Sequence, residues 1–347
     1  MIFSRRSLLK HGAALPILSA PLPLLATQRM AEGENPLIKP INDTKPVRIA
    51  FGSCNRQTKS QDFWETIQTF SPDAWVSLGD NIYADYYSPQ KRLQEYQKLL
   101  TDEHYLRFSS EIPCIATWDD HDYAHDNADG RFEGKEESQN VFYHFVGEPL
   151  SSKRRLISGV YRSYLLGAEE SQVEICLLDL RFFREKPNGS ASLLGTEQWQ
   201  WLEERLAKSP AKLMIIGTSI QFTNPYSGLG LETWSKYREE KTRLLAKIDA
   251  SPRQTILISG DRHLGELAKD TLPSGRPLFE LTSSGLTDQR TIPIKYKARV
   301  GSSIIDRNFG ILDIEWQGTA PVVYPKLLHP KTGELLQAYP AIAPVTS

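Results

Sequence analysis

The sequence predicts a large α/β domain. Six short runs of residues recur along the chain, and each is nearly all apolar and bounded by turn-forming residues. This pattern is typical of strands that are buried on both faces of a sheet. Segments with helical spacing of apolar residues lie between the runs, and this alternation favours an α/β fold. The six predicted strands are Val47–Phe51, Ala74–Leu78, Cys114–Trp118, Glu174–Leu180, Lys212–Ile216 and Thr255–Ile258.

Three helices and three later strands complete the predicted elements. The first helix begins at Ser88 as N-cap, with Pro89 at the first helical position, and extends to about Arg107. The other two helices are predicted over 196–206 and 232–248. The later runs Leu278–Thr282, Gly310–Trp316 and Pro321–Leu328 are closely spaced, which favours antiparallel strands, and residues 331–347 are expected to be a surface tail.

The composition excludes several classes of protein. The chain has 347 residues, of which 40% are hydrophobic and 24% charged, the mix of a soluble globular protein. Its 41 basic and 42 acidic residues give a net charge of −1 and form no basic block, so no nucleic-acid-binding patch is expected. Three cysteines cannot form a disulfide framework. No apolar stretch reaches the roughly 18 residues of a membrane span.

The N-terminus has the pattern of an export signal. Arg5 and Arg6 precede Leu-Leu-Lys and an apolar stretch from Gly12 to Ala26. Three prolines in that stretch disfavour the alternative, a buried helix. The adjacent arginines resemble the twin-arginine signal, whose export machinery carries folded proteins. We therefore expect a signal peptide over 1–26, an extended lead-in over 27–46, the main domain over 47–330 and a periplasmic or secreted protein.

Polar residues that suit metal binding follow the predicted strands. In open α/β sheets, ligands bind beyond the carboxyl ends of the strands, so these residues would meet at one edge if the strands are parallel neighbours. Carboxylates brought so close together repel each other, and bound cations would offset that repulsion. The residues concerned are Cys54, Asp80, Tyr83, Asp119, Asp120, His121, Asp261 and His263. The sequence therefore predicts a metal site.

Each of these residues also has a simpler interpretation. Asp80 follows Gly79 and could form a turn, and Cys54 could be a small buried hydrophobe like Cys114 and Cys176. Tyr83 could be a packing residue, and His121 a surface histidine. The run from Asp119 to Asp122 is hardest to explain in this way, because it places three carboxylates and an imidazole directly after a buried strand.

Taken in order, the motifs resemble those of the alkaline phosphatase D (PhoD-like) family of metallophosphatases. The resemblance covers roughly residues 47–316 and includes an Asp-x-Arg-x-x-Arg strand end at Asp179 to Arg184. Motifs carry weight through their order and context rather than singly. The principal matching segments are Gly52-Ser53-Cys54, Leu78-Gly79-Asp80 with Tyr83, Trp118-Asp119-Asp120-His121-Asp122-Tyr123, and Ser259-Gly260-Asp261 with His263.

This resemblance implies a fold and an arrangement of ligands. The fold would be that of the calcineurin-like metallophosphoesterases: two packed mixed β-sheets flanked by helices, a four-layer αββα sandwich. Cys54, Tyr83 and His263 would hold one metal, and Asp80 would bridge to a second. Asp261 would hold the second metal, together with Asp120 and the loop after His121. The family places an asparagine five residues after this histidine, where this chain has Asp126 followed by Asn127.

The family uses iron with calcium, so Fe³⁺ and Ca²⁺ are the expected cofactors, with Zn²⁺ or Mn²⁺ as alternatives. Thiolate and phenolate donors suit iron(III), and a carboxylate such as Asp126 suits calcium. The implied activity is metal-dependent hydrolysis of phosphate mono- or diesters, small or polymeric, by a metal-activated hydroxide. The alternative is an exported metal- or phosphate-binding protein with a degenerate, non-catalytic site.

Two catalytic residues are predicted beyond the ligands. Arg181 would bind a non-bridging phosphate oxygen, because its planar fork matches phosphate; the alternative is an ion pair with a neighbouring carboxylate. His121 would protonate the leaving group, or orient a metal ligand. A covalent role for Cys54 is disfavoured, because no Cys-x5-Arg phosphate loop follows it.

Overall fold

The computed structural model describes residues 44–187, 190–226, 231–289 and 295–344. In these residues the chain forms thirteen strands and seven helices. The strands are β1 Arg48–Gly52, β2 Ala74–Leu78, β3 Cys114–Thr117, β4 Arg162–Leu166, β5 Val173–Leu177, β6 Leu213–Thr218, β7 Gln254–Ser259, β8 Gly265–Thr271, β9 Pro277–Ser283, β10 Arg299–Ile304, β11 Phe309–Gln317, β12 Ala320–Leu328 and β13 Leu335–Ala338. The helices are α1 Phe63–Thr69, α2 Pro89–Leu100, α3 Glu103–Glu111, α4 Asp120–Tyr123, α5 Lys135–Phe145, α6 Gly195–Lys208 and α7 Arg238–Ala250.

The described strands form two mixed sheets. The first sheet has the order β13-β12-β11-β1-β2-β3, with β1, β2 and β3 parallel to one another. The second sheet has the order β10-β8-β9-β7-β6-β5-β4, with β5, β6, β7 and β9 parallel. The six predicted strands are therefore divided between two sheets and are not neighbours in one.

Alternation of side chains along the strands places the two sheets face to face. In β1, Ile49 packs in a core shared with Ile215 of β6 and Ile256 of β7, between the sheets. The next residue, Ala50, points to the other face, where it packs with residues of α1, α2, α3 and α5. The outer face of the second sheet packs in the same way against α6 and α7. This arrangement confirms the predicted αββα sandwich.

Most predicted strands lie within two residues of the observed ones, and Ala74–Leu78 agrees at both ends. The expectation that the last three runs are antiparallel holds for β11 and β12, which pair with each other. The third run, β9, lies in the second sheet, where it pairs antiparallel with β8 and parallel with β7.

Two predicted helices differ from the observed ones. The helix predicted from Ser88 to Arg107 is two helices, because the Asp102 side chain accepts hydrogen bonds from the His104 and Tyr105 N–H groups and begins α3. The helix predicted to start at Glu232 starts at Arg238 instead. Its first residues form a short 3₁₀ turn, in which Trp234 is buried against Phe222.

The structure tests the prediction for the C-terminal end of the chain but not the one for the N-terminal end. Residues 331–344, expected as a surface tail, include β13, which pairs with β12. The expected signal peptide over 1–26 and nearly all of the lead-in over 27–46 lie outside the described residues. In the part of the chain that the structure describes, no helix is long and apolar enough to span a membrane.

Candidate metal centre

The predicted ligands lie in the loops that follow the parallel strands of both sheets. Cys54 follows β1, Asp80 follows β2 and Asp120 follows β3, all in the first sheet. Asp261 and His263 follow β7 of the second sheet. The carboxyl ends of strands from two packed sheets thus converge, and side chains far apart in the sequence lie close together.

These loops hold their ligands in an uncommon backbone conformation. Cys54, Asp80, Asp261 and His263 have φ angles of 60°, 50°, 67° and 53°. Non-glycine residues rarely adopt positive φ, because Cβ then crowds the backbone. Such strain persists only where the surrounding structure enforces it, and it clusters at functional sites. Asn127 also has a positive φ, of 58°, so five of the seven positive-φ non-glycine residues in the described chain are predicted ligands, which supports a functional role for these loops.

Two glycines allow the loops to approach so closely. Gly79 has a φ of 96°, and a Cβ at this position would lie 2.5 Å from the Cβ of Asp119. A Cβ at Gly260 would lie 2.5 Å from Oγ of Ser53. Larger residues would therefore push apart the loops after β2 and β3, and the loops after β1 and β7.

The first group of candidate ligands contains Cys54, Asp80 and His263. One ligand atom from each lies within 4.8 Å of the other two. Sγ of Cys54 is 3.3 Å from Oδ2 of Asp80. Tyr83 extends this group, since its hydroxyl lies 3.1 Å from Nε2 of His263. A thiol, a phenol, an imidazole and a carboxylate are thus brought together.

The second group contains Asp80, Asp120 and His121, again within 4.8 Å of one another. Oδ2 of Asp120 accepts a hydrogen bond of 2.6 Å from the backbone N–H of Asn127. Nδ1 of His121 lies 2.6 Å from Oδ1 of Asp85, which orients the imidazole. Asp80 belongs to both groups, so the two sets of ligand atoms share one carboxylate.

The chemistry of the Asp80 carboxylate fits a bridging metal ligand. The residue is 2% exposed, and its Oδ1 has no hydrogen-bond partner among the described residues. Burial, and then the charge of Asp120, raise the pKa of Asp80 well above its usual range. Burying an unpaired carboxylate is costly unless a cation compensates it. The residues present therefore fit a metal centre.

The remaining predicted ligands lie at the border of these groups. Asp261 is partly exposed and belongs to neither set. Its charge nevertheless acts on the first group: the pKa of Cys54 is raised by burial, by the charge of Asp80 and, to a smaller extent, by the charge of Asp261. Asp126 and Asn127 are exposed, and their side chains bond to each other at 2.6 Å. The roles of these three residues as ligands of a second metal stay predictions.

Arg181 lies beside the second group, with Nη2 3.9 Å from Oδ2 of Asp120. Its side chain is completely buried, with Nε 2.6 Å from Oδ1 of Asp119 and Nη2 2.6 Å from Oε2 of Glu232. Nη1 donates to the backbone carbonyl of Ala128 at 3.2 Å. The ion pair that was the alternative interpretation is thus present. A contact between Arg181 and a phosphate oxygen would require breaking it, and this role stays a prediction.

Charge alternates through this buried network. Glu232 also pairs with Arg184, whose Nε donates to the Tyr237 hydroxyl at 2.9 Å. Burial raises the pKa of Asp119 to about 7, although the Arg181 charge opposes that effect. The pKa of Asp120 is lowered, because the charges of Arg181 and His121 outweigh its burial.

A second network supports the turn that carries Asp80. The Asp122 carboxylate accepts hydrogen bonds from the backbone N–H groups of Asn81 and Ile82, at 3.0 and 3.3 Å, and from the Tyr96 hydroxyl at 2.9 Å. Burial raises the pKa of Asp122 to about 6. Asp122 therefore positions the ligand turn, whereas Asp119, Asp120 and His121 lie around the site itself.

Sequence reasoning missed Asp85 and Glu232. Asp85 is two residues beyond Tyr83, and its proximity to His121 depends on how two loops pack. Glu232 contacts Arg181 from 51 positions further along the chain, and no local spacing indicates this contact. Glu232 is the first residue of a predicted helix, where a Glu is common, and it gave no signal of such a role.

Comparison with known proteins bears on the fold and on the family. No protein of curated function matches the chain at a significant level. Among solved structures, one described as the structure of PhoD aligns with a TM-score of 0.60 and 16% identity, over 87% of this chain and 73% of that one. GAP50, described as the anchor in the inner membrane complex of Plasmodium, aligns with a TM-score of 0.58 and 13% identity, over 88% of this chain and 90% of that one. At these identities the two structures show the fold.

The sequence itself identifies the family. Residues 49–305 match the family described as PhoD-like phosphatase, a range that extends from β1 to just beyond β10. It includes every predicted ligand, all seven strands of the second sheet and, in the first sheet, most of β1 together with β2 and β3. Because this match covers more than half of the chain, the protein belongs to the PhoD-like phosphatase family.

Proposed function

We propose that the protein is an exported, metal-dependent phosphoesterase that hydrolyses phosphate mono- or diesters. Membership of a phosphatase family supports hydrolysis of phosphate esters. The observation that carries the metal dependence is the position of Asp80, whose buried carboxylate belongs to both groups of candidate ligands. A single carboxylate shared by two ligand sets is the arrangement that a two-metal site needs.

Bound cations would neutralise the charge of the phosphate and lower the pKa of a bound water towards 7. The chain supplies the ligands. Cys54, Tyr83 and His263 would hold one cation, with Asp80 shared between the two. Asp120 and Asp261, with the loop at Asp126 and Asn127, would hold the second.

The types of donor favour two different metals. The thiolate of Cys54 and the phenolate of Tyr83 suit iron(III). The carboxylates around Asp120 suit calcium, since hard cations prefer oxygen ligands. We propose Fe³⁺ and Ca²⁺, with Zn²⁺ and Mn²⁺ as the alternatives.

His121 is proposed to protonate the leaving oxygen. Asp85 holds its Nδ1 at 2.6 Å, which supports the imidazolium. Although burial opposes it, this hydrogen bond and the charges of Asp80 and Asp120 raise the pKa of His121 to about 10. In the metal-free protein these contacts favour the protonated imidazole, which is the form that a general acid requires.

Two other functions are less well supported. A cysteine nucleophile needs an accessible thiolate, whereas Cys54 is fully buried, and burial and Asp80 raise its pKa well above the usual range. A non-catalytic binding protein is the second alternative, since one fold can carry different functions and one structure of similar fold is described as an anchor. The two converging groups of donors that share Asp80 favour catalysis.

The decisive experiment measures metal content together with hydrolysis of p-nitrophenyl phosphate and its bis ester, with and without chelator. We expect turnover that chelation abolishes, and that Asp80→Ala lowers by about 1000-fold or more. Turnover that survives chelation or Asp80→Ala would contradict the proposal. Bound metal without turnover of any ester would favour the binding protein.

Two cysteine variants separate a ligand from a nucleophile. Cys54→Ser should lose metal and activity together. Cys176→Ser is the matched control, because Cys176 is equally buried but packs in the outer core of the second sheet. A Cys54→Ser protein that keeps its metal but loses activity would support the nucleophile instead.

Export is proposed from the N-terminal pattern alone. Replacing Arg5 and Arg6 together by lysine should leave the protein in the cytoplasm at its precursor length, because the twin-arginine machinery reads this pair. Fractionation of cells that produce the wild type and the variant measures this. Equal amounts of processed periplasmic or secreted protein would contradict twin-arginine export.

A further inference from the structure

We propose that Arg56 is the side chain that binds a phosphoryl oxygen of the substrate, and that Asp288 positions it. This inference rests on the proposed phosphoesterase function. It gives the task expected of Arg181 to a different guanidinium, which lies at the edge of the first ligand group.

Arg181 and Arg56 differ in whether their guanidinium nitrogens are already bonded to the protein. Arg181 is fully buried, and each of its three guanidinium nitrogens has a protein partner: Asp119, Glu232 and the carbonyl of Ala128. Arg56 has a side chain that is 39% exposed. Its Nε donates to Oδ2 of Asp288 at 3.1 Å, and its two terminal nitrogens have no hydrogen-bond partner among the described residues. Of these two arginines, only Arg56 therefore presents free, accessible donors.

Arg56 also borders the candidate metal ligands. It is two residues beyond Cys54, and its Cζ lies 3.9 Å from the centroid of the Tyr83 ring. The hydroxyl of Tyr83 is in turn 3.1 Å from Nε2 of His263. A cation stacked on this ring is attracted to it, and more strongly to a phenolate. The guanidinium is thus held beside the place where a phosphate ester would meet the first ligand group.

Backbone and side-chain contacts fix the position of Arg56. Its N–H donates to Oγ1 of Thr287 at 2.7 Å, and that hydroxyl donates to the carbonyl of Cys54 at 3.0 Å. The Asp288 carboxylate accepts a hydrogen bond from Nε of Arg56. The two terminal nitrogens of Arg56 remain available, and together they form a fork that matches two phosphate oxygens. An arginine fixed by a carboxylate loses less freedom when it binds a ligand, which is the reason to call Asp288 a positioning residue.

Lys59 provides a matched control. Its Nζ pairs with the same Asp288 carboxylate and donates to the carbonyl of Thr287 at 2.9 Å, and its side chain is 46% exposed. Lys59 thus carries the same charge and has the same partner. It differs from Arg56 in that Arg56, and not Lys59, is the cation found stacked on Tyr83. If only the positive charge near the site mattered, replacing Arg56 and replacing Lys59 would have equal effects on phosphate binding.

The experiment compares the wild type with Arg56→Gln, Arg56→Lys and Lys59→Gln, each loaded with metal. Binding of inorganic phosphate is measured by calorimetry, and kcat, KM and metal content are measured on the same preparations. Arg56→Gln should weaken phosphate binding and raise KM by about tenfold or more, since a charge-assisted hydrogen bond is lost. Arg56→Lys should recover part of this loss. Lys59→Gln should stay within about twofold of the wild type, since surface charges contribute little.

Asp288→Asn tests the positioning role. It leaves the Arg56 guanidinium in place but removes its charged partner, so KM should rise less than in Arg56→Gln while metal content stays unchanged.

Each outcome supports or overturns the assignment. Phosphate binding and KM within twofold of the wild type in a metal-replete Arg56→Gln protein would overturn it, as would an equal loss in Lys59→Gln. A wild type that hydrolyses no ester would instead overturn the proposed function, and this result is read from the wild type alone. The two failures are therefore distinguishable.

Discussion

Arg181 and Asp119 form an ion pair that is removed from solvent at both ends: Nε lies 2.6 Å from Oδ1, and the side chains are 0% and 1% exposed. Asp119 also accepts a hydrogen bond from the Ser219 hydroxyl at 2.7 Å, which links the loops after β3 and β6. Asp119 comes from the first sheet and Arg181 from the second. The pair thus connects the two sheets beside the second group of candidate ligands, since Nη2 of Arg181 lies 3.9 Å from Oδ2 of Asp120.

Removing this arginine should destabilise the protein strongly. Arg181→Met leaves the Asp119 carboxylate buried without its charged partner and Glu232 with Arg184 alone, and breaking a buried pair in this way costs about 3–5 kcal/mol. Urea unfolding of the variant measures the loss. Arg107→Met is the control, since Arg107 is 54% exposed, pairs with Glu65 at the surface and should change stability by less than about 1 kcal/mol. A similar small change in Arg181→Met would contradict a structural role for this pair.

The turn after β2 should depend on Asp122. Asp122→Ala leaves the backbone N–H groups of Asn81 and Ile82 buried without an acceptor, at a cost of about 1–3 kcal/mol for each group. Because these residues directly follow Asp80, we expect weaker metal binding as well as lower stability. Metal titration and urea unfolding of one preparation measure both effects. Lower stability with unchanged metal affinity would show that Asp122 does not position the ligand turn.

Local patterns were sufficient to predict much of the site. Cys54, Asp80 and Asp120 each come two or three residues after an apolar run, and such a run can be recognised from its composition alone. The shared edge then follows from the parallel direction of the strands. The division into two sheets came from the family resemblance, because a buried strand has the same composition in either sheet.

Contacts over long sequence separation could not be predicted in this way. Glu232 and Asp85 come close to Arg181 and His121 through the packing of loops, which has no period in the sequence. Arg56 was not predicted either, because its proposed role depends on its contact with the Tyr83 ring, 27 positions further along the chain. By contrast, the break between α2 and α3 had a local signal, because Asp102 is a good N-cap.

The metal-free protein should lose stability as the pH rises. Burial raises the pKa of Asp261 to about 8 and that of Asp119 to about 7, from the ordinary value of 3.8 for each. A carboxyl whose pKa is raised by folding binds its proton more tightly in the folded state. Its stabilising effect is complete below the ordinary pKa and is lost as the pH rises through the folded-state value.

Urea midpoints of chelator-treated protein at about pH 5.5, about pH 7 and about pH 8.5 measure this dependence, and they should fall in that order. Saturation with metal should weaken or reverse the trend, because cations bind the deprotonated ligands. A metal-free protein whose stability rises over this range would contradict the assigned pKa values.

Replacing Asp80 by asparagine should have opposite effects on stability and on function. Without a cation, the wild type buries a carboxylate whose Oδ1 has no hydrogen-bond partner in the described chain, and burial raises the pKa of this group. Asp80→Asn keeps the shape and removes the charge, so the metal-free variant should be more stable at pH 8 by on the order of 1 kcal/mol. The stabilisation that the wild type gains from added metal should be largely lost, because the shared ligand is gone.

Thermal unfolding with and without saturating metal measures both the stability of the metal-free protein and the stabilisation that metal adds. Glu204→Gln is the control, since Glu204 is exposed on α6, pairs only with Lys208 among the described residues and should leave both terms unchanged. If Asp80→Asn lowered the stability of the metal-free protein, the carboxylate would be a structural group satisfied by the protein itself. If the variant kept the full stabilisation by metal, Asp80 would not be the bridging ligand. The two measurements therefore test the shared carboxylate on which the metal centre depends.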